Sequence, residues 1–353
     1  TWLRSKRQKT FLNSQRRPRS ELSSKLVKIA EREDSSRAAL PVCIFPEVSD
    51  PKVFPPSVPV ETEDSLLLPT ADSLGLPHLS AEAMAFLKTV PREYFMFPES
   101  WSVSSDWIPD FPGYLDLYSG KKGIASAICK SGKAWALTFE IEDSLAQDLS
   151  LEQNRTLVES IIRLEAVHTL GAAIFCQSFS RAVRPPVRTK NLPWGIDKMS
   201  EKMQQKVQLG NDHAEWLSRV IQLCRQHKIR FWVENPDSSF LWFLPCWEAL
   251  GARDTNSCFR LDYCVCGCPW RKRTRFFTDL HLKGQHSFCT RDHKHLRLVG
   301  WSRLHRKAWT RVAQVYPRRL VQWVSFAVLS DAGLLPGRKK ISDRKSTRLN
   351  SSH

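Results

Sequence analysis

From residue 114 onward the chain alternates short apolar runs with stretches of helical period, which predicts strands and helices in βαβ order. Residues 114–118 read as a buried strand, followed by the turn Ser119-Gly120-Lys121-Lys122-Gly123 and a helix over about 124–131. A second strand, 134–139, ends in Glu140, and Asp148-Leu149-Ser150 precedes a helix over about 151–166. Next comes Ala172-Ala173-Ile174-Phe175-Cys176-Gln177-Ser178-Phe179-Ser180, an apolar run that stops at a cysteine followed by small and polar residues. It predicts a buried strand delivering one thiol to its carboxyl end, where ligands bind in open α/β sheets. Residues 181–212 carry no period and are rich in Arg, Lys and Pro, so they read as a long irregular loop. Gly210-Asn211-Asp212 closes it and can cap a helix over about 214–227. The strand 229–233 stops at Glu234-Asn235-Pro236, again delivering a carboxylate at a strand end. Further strands are expected at 258–264 and 275–278. A helical pattern returns from 310, with Tyr316-Pro317 marking a helix start or a kink.

The first third of the chain behaves differently. Residues 1–38 are polar and basic, with 11 Lys/Arg against 4 Asp/Glu, and show no sustained apolar period. Residues 40–80 are rich in Pro, Ser, Asp and Glu, a linker composition. Together 1–80 read as a disordered arm and linker, with a short helix from 81 ended by Pro91 and a folded α/β domain over 81–340. The closing stretch, 343–353, resembles the translation of a sequencing adapter and is set aside, and the start at Thr1 reads as that of a fragment or processed product.

The net charge of +17 is concentrated rather than spread: residues 270–319 hold 14 Lys/Arg against 2 Asp/Glu, whereas 39–269 hold 22 against 28. Two basic blocks flanking a mildly acidic body fit a polyanionic partner, because Lys and Arg release counterions from phosphates. A solvated basic face and a basic tail are the blander account. No apolar run approaches the roughly 20 residues needed to cross a bilayer, and ten cysteines without a small-domain disulfide spacing suggest reduced thiols. A soluble intracellular protein is therefore expected, with the basic arm serving as a nuclear address or nucleic-acid tether.

Taken in order, these parts resemble the cytosine-5 DNA methyltransferases, a branch of the class I methyltransferases. Asp116-Leu117-Tyr118-Ser119-Gly120 resembles the family's first motif, Cys176-Gln177 its Pro-Cys-Gln motif, Glu234-Asn235 its Glu-Asn motif, and Arg273 and Arg275 its paired arginines. The stretch around Pro317 is similar to the closing motif, and methyltransferase-like reading frames of phages and mobile elements share the Glu-Asn-Pro pattern. The resemblance covers about 114–329 and implies a Rossmann-like fold with a mostly parallel sheet flanked by helices. It implies S-adenosylmethionine as cofactor, with Asp116, Tyr118, Gly120, Gly123, Glu140 and Asp148 around it. It implies nucleic acid as substrate, DNA rather than RNA, with Cys176, Glu234, Arg273 and Arg275 catalytic. The chain departs from the family at Lys122, where glycine is usual, at Phe175, where proline precedes the nucleophile, and at Arg271 in place of a glutamine. Only 278–312 stands where the family carries a much larger target-recognition domain.

The residue types suit that chemistry on their own terms. Carbon 6 of cytosine is a weak electrophile, so methylating carbon 5 requires transient addition of a strong nucleophile, and a thiolate is the best side chain for it. A carboxylic acid at N3 makes the addition feasible, the role open to Glu234, and the base must first leave the stack. Other readings stand beside this one. Cys176 can be a core thiol, Glu234 a turn cap, Arg273 and Arg275 phosphate contacts, and Asp148 a cap for the helix after it. The chain can equally be an inactive nucleic-acid-binding relative, or a class I methyltransferase acting on another atom. Within a short basic Cys/His-rich insert at 264–310, Cys264, Cys266, Cys268, Cys289, His293 and His295 form a candidate metal cluster, of which Cys266 and Cys268 with Cys289 and His293 could supply four tetrahedral zinc ligands. Cys-x-Cys-x-Cys is not ordinary zinc spacing, however, and free thiols with surface histidines, and no metal, are the expectation. Trp270, Trp301, Trp309 and Trp323 can stack bases or fill a core.

Overall fold

A computed structural model describes residues 68–335; the basic arm, the linker up to 67 and the tail over 343–353 lie outside these residues. Its strands are β1 (Phe95–Met96), β2 (Gly113–Leu117), β3 (Ala136–Phe139), β4 (Val167–Ala172), β5 (Arg230–Pro236), β6 (Cys258–Asp262), β7 (Arg273–Thr278), β8 (His286–Ser287), β9 (Trp301–Ser302) and β10 (Lys307–Ala308). Its helices are α1 (Ala71–Leu74), α2 (Ala81–Leu87), α3 (Gly123–Cys129), α4 (Glu152–Arg163), α5 (Glu201–Gln226), α6 (Pro245–Ala249), α7 (Trp309–Val312) and α8 (Arg318–Asp331).

Eight strands form one sheet in the order β1-β3-β2-β4-β5-β7-β6-β8. The central four, β3, β2, β4 and β5, are mutually parallel, with β1 antiparallel at one edge. β7 inserts antiparallel between β5 and β6, and β8 joins β6 in parallel. The α/β class and the mostly parallel sheet flanked by helices are as expected. Every residue of β2 and β3 is buried, the pattern of parallel strands covered on both faces. α3 packs against α8, and α4 against α5. A side chain at Gly171 of β4 would overlap the Tyr114 hydroxyl and the Trp232 indole, so only glycine lets these two large side chains meet over that strand.

Three sequence expectations need correction. The strand before Cys176 is Val167–Ala172, earlier than the apolar run that was its strongest signal. His168 and Thr169 mask it as a strand, while Ile174 and Phe175 lie beyond it; Ile174 is buried, and Phe175 packs edge-on against Tyr118 and His213. The long loop ends early, because α5 begins at Glu201 and runs straight through Gly210-Asn211-Asp212. Those three residues read as a helix cap but serve packing: a Cβ at Gly210 would come within 2.5 Å of Ser178 Oγ. Asn211 Oδ1 accepts from Arg188 at 2.7 Å, and Asp212 pairs with Arg155 at 2.6 Å across to α4. The last part of the Pro-rich stretch is also structured. Thr70 and Ser73 form a capping box on α1, Gly75 ends it in a left-handed turn, and Asp110 Oδ1 accepts from the Ala71 N–H at 3.0 Å.

Candidate active site

Three segments stand side by side at the carboxyl ends of the central strands: the loops Tyr118–Lys122 after β2 and Ala173–Ser178 after β4, and Glu234-Asn235 within the last residues of β5 itself. In an open α/β sheet this edge is where a ligand crevice forms.

After β2 the chain turns sharply. Tyr118, Gly120 and Lys122 all adopt positive φ, at 54°, 56° and 51°. Gly120 tolerates this freely, and the space where its Cβ would stand is open. Lys122 occupies a left-handed position that favours glycine, and its Nζ is held by Asp143 at 2.8 Å. Gly123 begins α3, and a Cβ on it would lie 3.5 Å from Val321 of α8. Tyr118 turns its hydroxyl onto His213 Nδ1 at 2.8 Å, and burial pushes the His213 pKa down to about 4, so that ring is neutral.

Glu140, at the end of β3, accepts the Gly120 N–H at 2.6 Å and the Glu142 N–H at 3.1 Å. A carboxylate has about four acceptor positions, so capacity remains for two hydroxyl donors. Asp116 is buried in β2 and takes the Tyr114 hydroxyl at 3.2 Å; burial pushes its carboxyl up to about 7. Asp148 accepts the Ser150 N–H at 2.8 Å, closing an Asx turn just ahead of α4.

Cys176, after β4, and Glu234, in β5, lie within electrostatic reach of each other. Glu234 is 6% exposed and is contacted from three directions. The Thr274 hydroxyl donates to Oε1, the Tyr316 hydroxyl donates to Oε2 at 3.3 Å, and Lys272 Nζ lies 3.7 Å from Oε1. Lys272 also donates to the Tyr263 hydroxyl at 3.2 Å. The Cys176 thiol is raised chiefly by burial and further by the Glu234 charge, while the Lys272 ammonium opposes both. Thiol, ammonium and carboxylate therefore sit within electrostatic reach of one another. Next to them Asn235 Nδ2 donates to Ile174 O at 2.7 Å, tying the end of β5 to the cysteine loop, and its buried Oδ1 has no protein partner.

Arg273 and Arg275 do not join this group. Side chains along a strand alternate between faces, and Lys272 and Thr274 take the face toward Glu234. Arg273 instead forms a two-point pair with Asp262 at 3.0 and 2.7 Å. Arg275 binds Asp237 at 2.9 Å and the Ala252 carbonyl at 2.9 Å. Lys272, Thr274 and Tyr316 were missed in the sequence. The signal that finds the first two is parity, since β7 pairs Pro236 with Thr274 and so sets even-numbered residues beside Glu234.

The loop after Cys176 is anchored by Arg188, which is 1% exposed and stands 4.1 Å over the Phe179 ring. Its guanidinium donates to the carbonyls of Ser178, Pro193 and Val207, to Ser178 Oγ and to Asn211 Oδ1. With no carboxylate nearby, burial lowers its pKa to about 10. Beside this loop a cavity of about 430 Å³ is lined by Arg181, Arg184, Lys190 and Phe240 among others. Of the four tryptophans singled out, Trp301 is 67% exposed, Trp270 packs on Trp309 at 6.2 Å, and Trp323 meets Phe259 edge-on. Among the described residues no helix is long and apolar enough to cross a membrane. Compared with known proteins, the chain matches no family model and no curated protein.

Proposed function

We propose that the chain is a class I methyltransferase that uses S-adenosylmethionine to methylate carbon 5 of cytosine in nucleic acid, with Cys176 as nucleophile. The observation that carries this reading is the convergence of Cys176 and Glu234, from the carboxyl ends of the adjacent parallel strands β4 and β5, with Lys272 at the amino end of antiparallel β7. The parallel centre of the sheet supports it as well, since ligands of open α/β sheets bind beyond the carboxyl ends of such strands.

The residues at the β2 and β3 ends fit the cofactor. Open space above Gly120 leaves its backbone accessible, and the spare acceptor positions of Glu140 suit ribose hydroxyls. When bound there, S-adenosylmethionine supplies an electrophilic methyl group. The protein's part is to make cytosine nucleophilic. The Cys176 thiolate adds to carbon 6, forming the C–S bond, while N3 is protonated through the Glu234 carboxyl. The electron pair released onto carbon 5 would take the methyl group, with S-adenosylhomocysteine leaving. Loss of the carbon 5 proton to a base then expels the Cys176 thiolate, and return of the N3 proton to the Glu234 carboxylate restores the aromatic ring. Lys272 lowers the cost of a thiolate in a buried site, and Tyr316 and Thr274 hold the Glu234 carboxyl in one orientation. The basic cavity beside the Cys176 loop suits the phosphates flanking an extruded base.

Incubation with an oligonucleotide containing 5-fluorocytosine and S-adenosylmethionine tests the reading. A covalent adduct that survives denaturation and is lost in Cys176→Ser is expected, because fluorine at carbon 5 blocks the final elimination. A folded protein that binds S-adenosylmethionine by calorimetry but forms no adduct points to another target atom. One that binds no cofactor leaves a nucleic-acid-binding relative.

A further inference from the structure

Cys264, Cys289, His293 and His295 turn one ligand atom each toward a common point, all within 4.8 Å of one another. They arrive from two separate segments. Cys264 lies on the 3-10 turn Tyr263–Cys266 that continues β6, and Cys289 follows β8. Parallel pairing of β6 with β8, Leu261 opposite Ser287, brings the two ends side by side. Cys266 and Cys268, which the sequence suggested as ligands, are not in the group.

The distances suit a tetrahedral ion. Zinc bonds of about 2.3 Å to sulfur and about 2.0–2.1 Å to imidazole nitrogen give an S···N edge of roughly 3.6 Å. Cys289 Sγ stands 3.8 Å from His293 Nε2 and 3.3 Å from His295 Nε2. The surroundings prepare the same atoms for a cation. The Arg291 N–H, in a backbone with φ of 67°, donates to Cys289 Sγ at 3.2 Å and fixes the position of the sulfur. Asp292 Oδ1 binds His293 Nδ1 at 2.6 Å, which fixes the tautomer that leaves Nε2 free to ligate, as outer-shell carboxylates do for zinc-bound histidines. The buried Asp262 carboxylate accepts the Cys289 N–H at 3.0 Å and fixes the start of the ligand loop.

We propose that Cys264, Cys289, His293 and His295 bind one zinc ion, closed to other ligands, as a structural clamp on the irregular segment that follows β8. Four protein ligands leave no open position, so the ion is structural rather than catalytic. Its value lies in what it holds. Residues 279–300 contain only two residues of strand, too little for hydrogen bonding alone to fix them. The clamp ties them to the turn that starts at Tyr263, whose N–H donates to Lys272 O at 3.0 Å and whose hydroxyl receives Lys272 Nζ. A second contact, Leu296 N–H to Pro269 O at 2.7 Å, lies along the same segment. Metal binding would thereby set the position of Lys272 beside Glu234.

The test is metal content of the full chain after purification with zinc and desalting, together with the absorption spectrum of the cobalt(II)-loaded protein. About one zinc per chain is expected, with cobalt giving the strong d–d bands of a tetrahedral centre and a sulfur-to-metal charge-transfer band. Cys289→Ser is expected to lose both signals, while Cys266→Ser and Cys268→Ser keep them. Asp292→Asn, which removes only the outer-shell partner, is expected to weaken zinc affinity about 10–100-fold. Because the cobalt spectrum is read on the unaltered chain, misfolding of a variant does not decide the matter. Unaltered protein that holds no zinc, an octahedral cobalt spectrum, or metal that depends on Cys266 or Cys268 instead of Cys289 would each overturn the proposal.

Discussion

Replacing Asp116 with asparagine should make the protein more stable, and increasingly so as pH rises. Asp116 lies in the middle of the central strand β2 and is 3% exposed. Burial is the main force on it; the nearby Glu140 charge adds to the effect, while the Tyr114 hydroxyl and Lys122 oppose it, leaving the carboxyl at about 7 against an ordinary 3.8. The folded chain thus holds this proton more tightly than the unfolded chain. Between pH 3.8 and 7 the unfolded state has released the proton and the folded state has not, so stability falls as pH rises through that window and is level above it. The gap between 3.8 and about 7 corresponds to roughly 4 kcal/mol. Asparagine has the same shape, still accepts the Tyr114 hydroxyl and cannot ionise. Urea unfolding followed by tryptophan fluorescence is therefore expected to give similar stabilities for the two proteins near pH 4. By pH 8 the advantage of Asp116→Asn should approach about 4 kcal/mol. Titrating groups that do not interact with Asp116 are common to both proteins and cancel in the comparison. A gap that stays constant across the window would refute the burial argument.

Alkylation of Cys176 by iodoacetamide, followed by peptide mass spectrometry, reads the charges around the thiol. Lys272→Met should slow it and Glu234→Gln should speed it, each several-fold, because the reactive species is the thiolate; equal rates in all three proteins would remove Lys272 from the site. Arg188→Met should cost at least about 3 kcal/mol of stability, since it strips buried acceptors of a shared charged donor, and a loss below about 1 kcal/mol in chemical denaturation would show that water replaces the guanidinium.

The sheet was legible where periodicity was undisturbed. Strands β2, β3 and β5 and helices α3 and α4 fall close to their expected positions because fully buried parallel strands and amphipathic helices write their environment directly into apolar spacing. The first half of α5 was not legible, because its glycine, asparagine and aspartate answer to Ser178, Arg188 and Arg155, residues remote in sequence. The site divides the same way. Cys176 and Glu234 announce themselves at the ends of apolar runs, whereas choosing Lys272 over Arg273 requires knowing which face of β7 meets β5, a matter of register between strands. The Cys/His group was legible as six candidate residues, but which four converge was not, because the pairing of two-residue β8 with β6 favours Cys264 over Cys266 and Cys268 and no local pattern encodes it.

The placement of β7 also divides the site between two parts of the sheet. β7 follows β6 in the chain yet lies between β5 and β6. Cys176 and Glu234 belong to the parallel centre, whereas Lys272 and Thr274 come with the antiparallel strand laid against its edge. Without β7 in place the thiol after β4 faces neither the ammonium nor the oriented carboxylate, so a piece of the chain that stops short of β7 carries a buried thiol without the charges that tune it.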